Sequence, residues 1–154
     1  GMRQRFGIAI ALIGNPRLII VDEPTAGLDP EERVRFLNLL SELGQTAVVL
    51  LSTHHVGDVA ELCTRIAVLD KGRIVLRGDP DAHIASLAGC IWERAVTPPQ
   101  LQALREQHEV LSTRLKRGQR LARVCADQAP DTGFASVEPV LEDAYFHALR
   151  NAND

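Results

Sequence analysis

Lysine is nearly missing from this 154-residue chain: Lys71 is followed by glycine and Lys116 by arginine. No shifted reading therefore yields a loop ending in Gly-Lys-Ser/Thr, whose amides and lysine cradle phosphates. Long apolar runs are missing too. The longest strongly apolar stretch near the N-terminus, residues 7–14 (GIAIALIG), falls far short of the roughly 20 residues that cross a bilayer. Cys63, Cys90 and Cys125 lie far apart, with neither CxxC nor metal-ligand spacing. Free thiols in a reducing, cytoplasmic setting are the expectation. A net charge of -3 and a pI near 6.0 exclude a global pull toward nucleic acid or anionic lipid. The opening Gly1-Met2-Arg3-Gln4-Arg5 lacks the pattern of a signal peptide. Gly1 reads as an expression scar, a processing product or a mark of truncation.

What is present has the texture of a packed α/β protein, with 45% hydrophobic residues. Residues 2–13 read as a buried helix stopped by Gly14-Asn15-Pro16. Residues 18–21 (LIIV) read as a parallel strand covered on both faces, with Asp22 and Glu23 at its C-terminal end. Asp29 as N-cap, Pro30 in the first turn and Glu32 three after the cap predict a helix to about Leu43. After Gly44, residues 47–51 (AVVLL) form a second strand leading into Ser52-Thr53-His54-His55. A short helix over residues 56–63 and strands over 65–69 and 73–76, joined through Asp70-Lys71-Gly72, complete a parallel βαβ unit with an antiparallel edge.

A boundary is expected near Pro80, dividing residues 1–80 from 81–154. Beyond it come a short helix over 82–87, a strand over 91–95, a helix from Thr97-Pro98 to about Gln107, a hairpin over 110–115 and 120–124, a loose stretch, and a last helix over 140–149. The basic run over 114–123 (RLKRGQRLAR) has no interleaved aromatics and centres on a turn, so it reads as a solvated hairpin rather than a nucleic-acid patch. His83, His108 and His147 have no motif around them and default to structural or solvent-exposed roles.

Residues 18–29, LIIVDEPTAGLD, carry the chemistry. An apolar strand ending in Asp-Glu resembles the Walker B element of P-loop ATPases, and Pro24-Thr25-Ala26-Gly27-Leu28-Asp29 resembles the D-loop of the ATP-binding-cassette family. Ser52-Thr53-His54 stands where that family has its switch histidine, and Gly1 to Arg5 looks like the end of its signature motif, with Gly1 as the last glycine. The resemblance implies the C-terminal part of a P-loop ATPase domain over 1–80, followed by a small α/β appendage. It implies Mg²⁺ at Asp22 through water, Glu23 as the base for the attacking water, and His54 at the γ-phosphate. Gly1 and Asp29 would serve the ATP site shared with a second cassette subunit, and ATP and Mg²⁺ would be the cofactors. Asp29 as a simple helix cap is compatible with that.

The segment over 137–146 (VEPVLEDAYF) looks like the "sLEDvF" ending of bacterial exporter ATPases. It implies a cytoplasmic subunit, peripheral at the membrane, which works as a dimer with a membrane-spanning permease. Two other readings stand beside it: a cassette ATPase of translation or DNA repair, and a non-catalytic interaction module of the same fold. The missing Gly-Lys-Ser/Thr implies that the 154-residue chain is inactive alone.

Overall fold

The computed structural model describes residues 6–7 and 10–152, which form two compact units, one ending at Cys63 and the other starting at Thr64. The division precedes the expected boundary near Pro80.

The first unit is a βαβ unit. Strand β1 (Leu18–Asp22) and strand β2 (Val48–Ser52) pair in parallel, with Asp22 opposite Ser52, and helix α1 (Pro30–Leu43) connects them. Helix α2 (Val56–Leu62) follows. Period-two alternation sends Ile19 and Val21 inward, where Phe36 and Leu40 of α1 meet them one helical turn apart. The opposite face is open: Leu18, Ile20, Val48 and Leu50 are exposed. This corrects the reading of a strand covered on both faces, because among the described residues only one layer packs on the sheet. The first helix is corrected likewise. Its residues 2–5, 8 and 9 lie outside the described ones; of the rest, residues 10–12 are helical, yet Phe6, Ile10 and Ile13 are exposed, and Leu12 packs on the β1–α1 core.

Helix α1 starts where its cap chemistry dictates. Asp29 Oδ1 accepts a hydrogen bond from the Glu32 amide at 2.8 Å, and Pro30, with no N–H to satisfy, fits the first turn. Asp29→Ala should therefore cost about 1 kcal/mol, seen as a lower urea midpoint by far-UV circular dichroism.

The second unit opens with an antiparallel hairpin, β3 (Ile66–Asp70) and β4 (Arg73–Gly78). Lys71 at φ 48° and Gly72 at φ 78° supply the two left-handed residues of a tight hairpin turn. Among the described residues the hairpin is a two-stranded antiparallel sheet. Helix α3 (Pro80–Ala85) is capped by Asp79, whose Oδ1 accepts from the Asp81 and Ala82 amides.

A four-stranded antiparallel sheet follows, in the order β6-β7-β5-β8. Its strands are β5 (Ile91–Ala95), β6 (Glu109–Lys116), β7 (Gln119–Cys125) and the short β8 (Ala135–Ser136), which the sequence pattern did not anticipate. Helix α4 (Pro98–Gln107) buries Leu101 and Leu104 on Val110, Ala122 and Val124. Helix α5 (Leu141–Asn151) packs on α3, β4 and β6.

The β6–β7 hairpin turns at Arg117 and Gly118, both at positive φ, as its basic run suggested. Arg123 departs from the solvated reading. It is buried, and its guanidinium donates to Asp143 Oδ2 at 2.7 Å and to the Glu138 carbonyl at 2.9 Å. The same Asp143 oxygen accepts the Val140 amide at 2.9 Å, so one buried carboxylate caps α5 and pairs with the sheet. Among the described residues no helix is long and apolar enough to cross a membrane.

Candidate functional site

The site forms where β1 and β2 end side by side. Parallel pairing brings Asp22 level with Ser52, and the Ser52 hydroxyl donates to Asp22 Oδ1 at 2.8 Å. One residue on, the chain leaves the sheet sharply: Glu23 has φ 44°, a conformation that costs a non-glycine residue energy and is held only by surrounding bonds. The bonds are present. The Glu23 amide still donates to the Ser52 carbonyl at 2.8 Å, and the Ala26 amide donates to the Glu23 carbonyl at 3.2 Å.

The Glu23 carboxylate meets three groups from the end of β2. Its Oε1 accepts the His54 amide at 2.9 Å and lies 2.6 Å from His54 Nδ1, while Thr53 Oγ1 donates to Oε2 at 3.3 Å. With Nδ1 carrying the proton toward the carboxylate, Nε2 is left for a further partner. These contacts hold the Glu23 carboxyl below its ordinary range. The His54 side chain is the largest cause, opposed by partial desolvation and reinforced by the His54 amide, its charge and Thr53. Glu23 is therefore an ionised acceptor at neutral pH, a third exposed, beside an open imidazole.

Beneath this cluster lies a network that no motif announced. Asp58, in the first turn of α2, is fully buried. Its Oδ2 accepts the Thr25 hydroxyl at 2.6 Å, and its Oδ1 takes Arg33 Nε at 2.7 Å and the adjacent Arg33 NH2. One carboxylate thus ties the loop after Glu23 to α1 and α2. An aspartate in the first turn of a helix is ordinary in sequence, since the helix dipole favours it. Its burial and its partners, 25 and 33 residues away, are set only by packing.

Of the residues read from the sequence, Glu23 and His54 come together. His55 stands with them, its ligand atom within 4.8 Å of theirs. Asp22 is bonded to Ser52, and Asp29 caps α1. Gly1 lies outside the described residues. A carboxylate with an adjacent hydroxyl is hard oxygen chemistry that fits hydrated Mg²⁺ at Asp22. For the phosphates the fit is poorer, because neither lysine lies in the first unit.

Comparison with known proteins follows the same region. A family model described as "AAA domain, putative AbiEii toxin, Type IV TA system" matches residues 1–57. The Nod factor export ATP-binding protein I of Burkholderia orbicola is 32% identical over the full chain, which covers 50% of that relative. The protein of the same name from Cupriavidus metallidurans is 38% identical over 84% of the chain and 43% of its own length. The methionine import ATP-binding protein MetN of Carboxydothermus hydrogenoformans is 41% identical over 51% of the chain and 24% of its own length. The chain spans half the length of these relatives or less.

Proposed function

Because the chain belongs with the ATP-binding subunits of ATP-binding-cassette transporters, we propose that it supplies the hydrolytic half of an ATP site. The observation that carries this is the double hold of His54, by amide and ring, on one oxygen of Glu23. When bound, Mg²⁺-ATP supplies the reacting phosphoryl group and the charge that activates it. Glu23 orients the attacking water and takes its proton. His54 keeps the Glu23 carboxylate aimed and would present Nε2 to a phosphate oxygen, and Asp22 would hold Mg²⁺. Gly1 and Asp29 serve the site completed by a second subunit.

Turnover is passed to a membrane-spanning partner, and the direction is export. Support for that direction comes from proteins named for Nod factor export, one of them matched along the whole of this chain and over half of its own length, whereas the methionine importer matches half of the chain. The open apolar face of β1 and β2, with Leu18, Ile20, Val48 and Leu50, is where a phosphate-loop half of the cassette would pack.

The test is phosphate release from Mg²⁺-ATP by the chain alone and by the chain joined at its N-terminus to a phosphate-loop half-cassette. The expected result is no turnover alone and turnover in the joined protein. A joined protein that folds and binds ATP yet releases no phosphate would instead favour a non-catalytic module of the same fold.

A further inference from the structure

Glu109, Cys125 and His147 come from three different elements of the second unit, and nothing in their spacing along the chain links them. Register puts Glu109 at the start of β6 directly opposite Cys125 at the end of β7, so their side chains share one face of the sheet. Helix α5 packs on that sheet and lowers His147 onto the pair, with Nδ1 3.0 Å from Glu109 Oε1. One oxygen, one sulfur and one ring nitrogen thereby lie within 4.8 Å of one another. Tetrahedral bonds of about 2.0–2.3 Å set ligand atoms roughly 3.3–3.6 Å apart. Closing the triad onto one ion thus takes side-chain rotation on the order of 1 Å.

We propose that Cys125, His147 and Glu109 form a three-ligand site for a borderline-soft divalent cation, zinc by preference, with water in the fourth position. Sulfur and imidazole nitrogen select such an ion over Mg²⁺ or Ca²⁺, which favour oxygen alone. Solvent reaches the site: the Glu109 and His147 side chains are 27% and 32% exposed. His147 also lines a pocket of about 270 Å³ together with Asn151, His83 and Ser86.

The outer partner is in place as well. Asn151 Nδ2 lies 3.1 Å from His147 Nε2, and turning that amide by half a revolution presents its oxygen to an Nε2–H, which fixes Nδ1 as the ligand nitrogen. Loading releases the thiol proton to solvent, and a neutral His147 ring carries its one proton on Nε2 once Nδ1 is the ligand. Without a cation, Cys125 is no reactive nucleophile, since burial and the carboxylate of Glu109 push its thiol up to about 11.

The experiment titrates Co²⁺ into the chelator-treated, tag-free 154-residue chain and follows near-ultraviolet thiolate-to-cobalt absorption. One equivalent should bring the band up, and Zn²⁺ should remove it. Cys125→Ser should abolish the band, Cys63→Ser and Cys90→Ser should retain it, and His147→Ala should weaken Co²⁺ binding about tenfold or more. Glu109→Gln, which preserves size and tests the site if Cys125→Ser does not fold, should weaken binding similarly. No band in the unmutated chain overturns the site, as does a band that survives Cys125→Ser or is lost equally with Cys63 or Cys90. Binding indifferent to both Glu109→Gln and His147→Ala overturns it too.

Discussion

Glu23→Gln in the joined cassette should lower kcat by about 10²–10⁴-fold, the range that a positioned general base contributes, and should leave ATP binding nearly unchanged. Glutamine keeps the length and can still accept the His54 amide through its oxygen, but it cannot take a proton from water. A kcat within threefold or so of the parent would sink the assignment of Glu23 as base. The neighbouring His54→Ala should show a different signature. It removes the largest influence that holds the Glu23 carboxyl low, so any acid limb of kcat belonging to Glu23 should move toward higher pH as well as lower the plateau.

The sign of the pH effect on stability follows from the same bond. Glu23 has a depressed folded-state pKa, so the stabilisation it brings is fully present above its ordinary value of 4.5 and is lost only as pH falls through the lower folded value. Between pH 5 and 8 the Glu23 carboxyl by itself should therefore add no slope to the unfolding midpoint. A midpoint that drops across that window in the parent, and no longer drops in Glu23→Gln, would show that the carboxyl titrates higher than the geometry implies.

Arg33→Ala should destabilise the first unit by about 3–5 kcal/mol, the usual cost of leaving a buried charge without its partner. Asp58 is wholly buried, whereas the Arg33 side chain is 40% exposed. The two halves of the pair are therefore unequal. Removing the arginine strands a carboxylate in the interior with the Thr25 hydroxyl as its remaining partner in this network. Removing the carboxylate leaves an arginine that can turn to water, so Asp58→Ala should cost less, about 1–3 kcal/mol for the lost bonds to Thr25 and Arg33. Urea unfolding of both variants checks the order, and equal losses would count against the burial argument. Because Thr25 lies two residues after Glu23, either change should also loosen the site, seen as lower turnover in the joined protein.

Local chemistry made much of this architecture legible. Asp29 and Pro30 start α1, Lys71-Gly72 and Arg117-Gly118 turn the hairpins, and Thr97-Pro98 opens α4, because caps and tight turns depend on residues within four positions of one another. The grouping of Asp22, Glu23, the loop after them and His54 was also readable, since a parallel βαβ unit must bring the ends of its two strands to one edge. Periodicity could not say which apolar faces are covered. LIIV has apolar residues on both sides, and only the structure shows Ile19 and Val21 packed while Leu18 and Ile20 face outward. It equally could not tell a buried arginine from an exposed one in RLKRGQRLAR, because Arg123 is buried by a partner, Asp143, from another element.

The carboxylate pair, its loop and its histidine were thus determined by the sequence itself, as neighbours along the chain or across one strand register. The grip of His54 on Glu23, the Asp58 anchor beneath it and the meeting of Glu109, Cys125 and His147 were decided by tertiary structure alone. The physical reason is range. Caps, turns and strand ends are set by bonds a few residues long, whereas a buried ion pair or a ligand triad exists only after packing brings distant elements together and excludes water from between them.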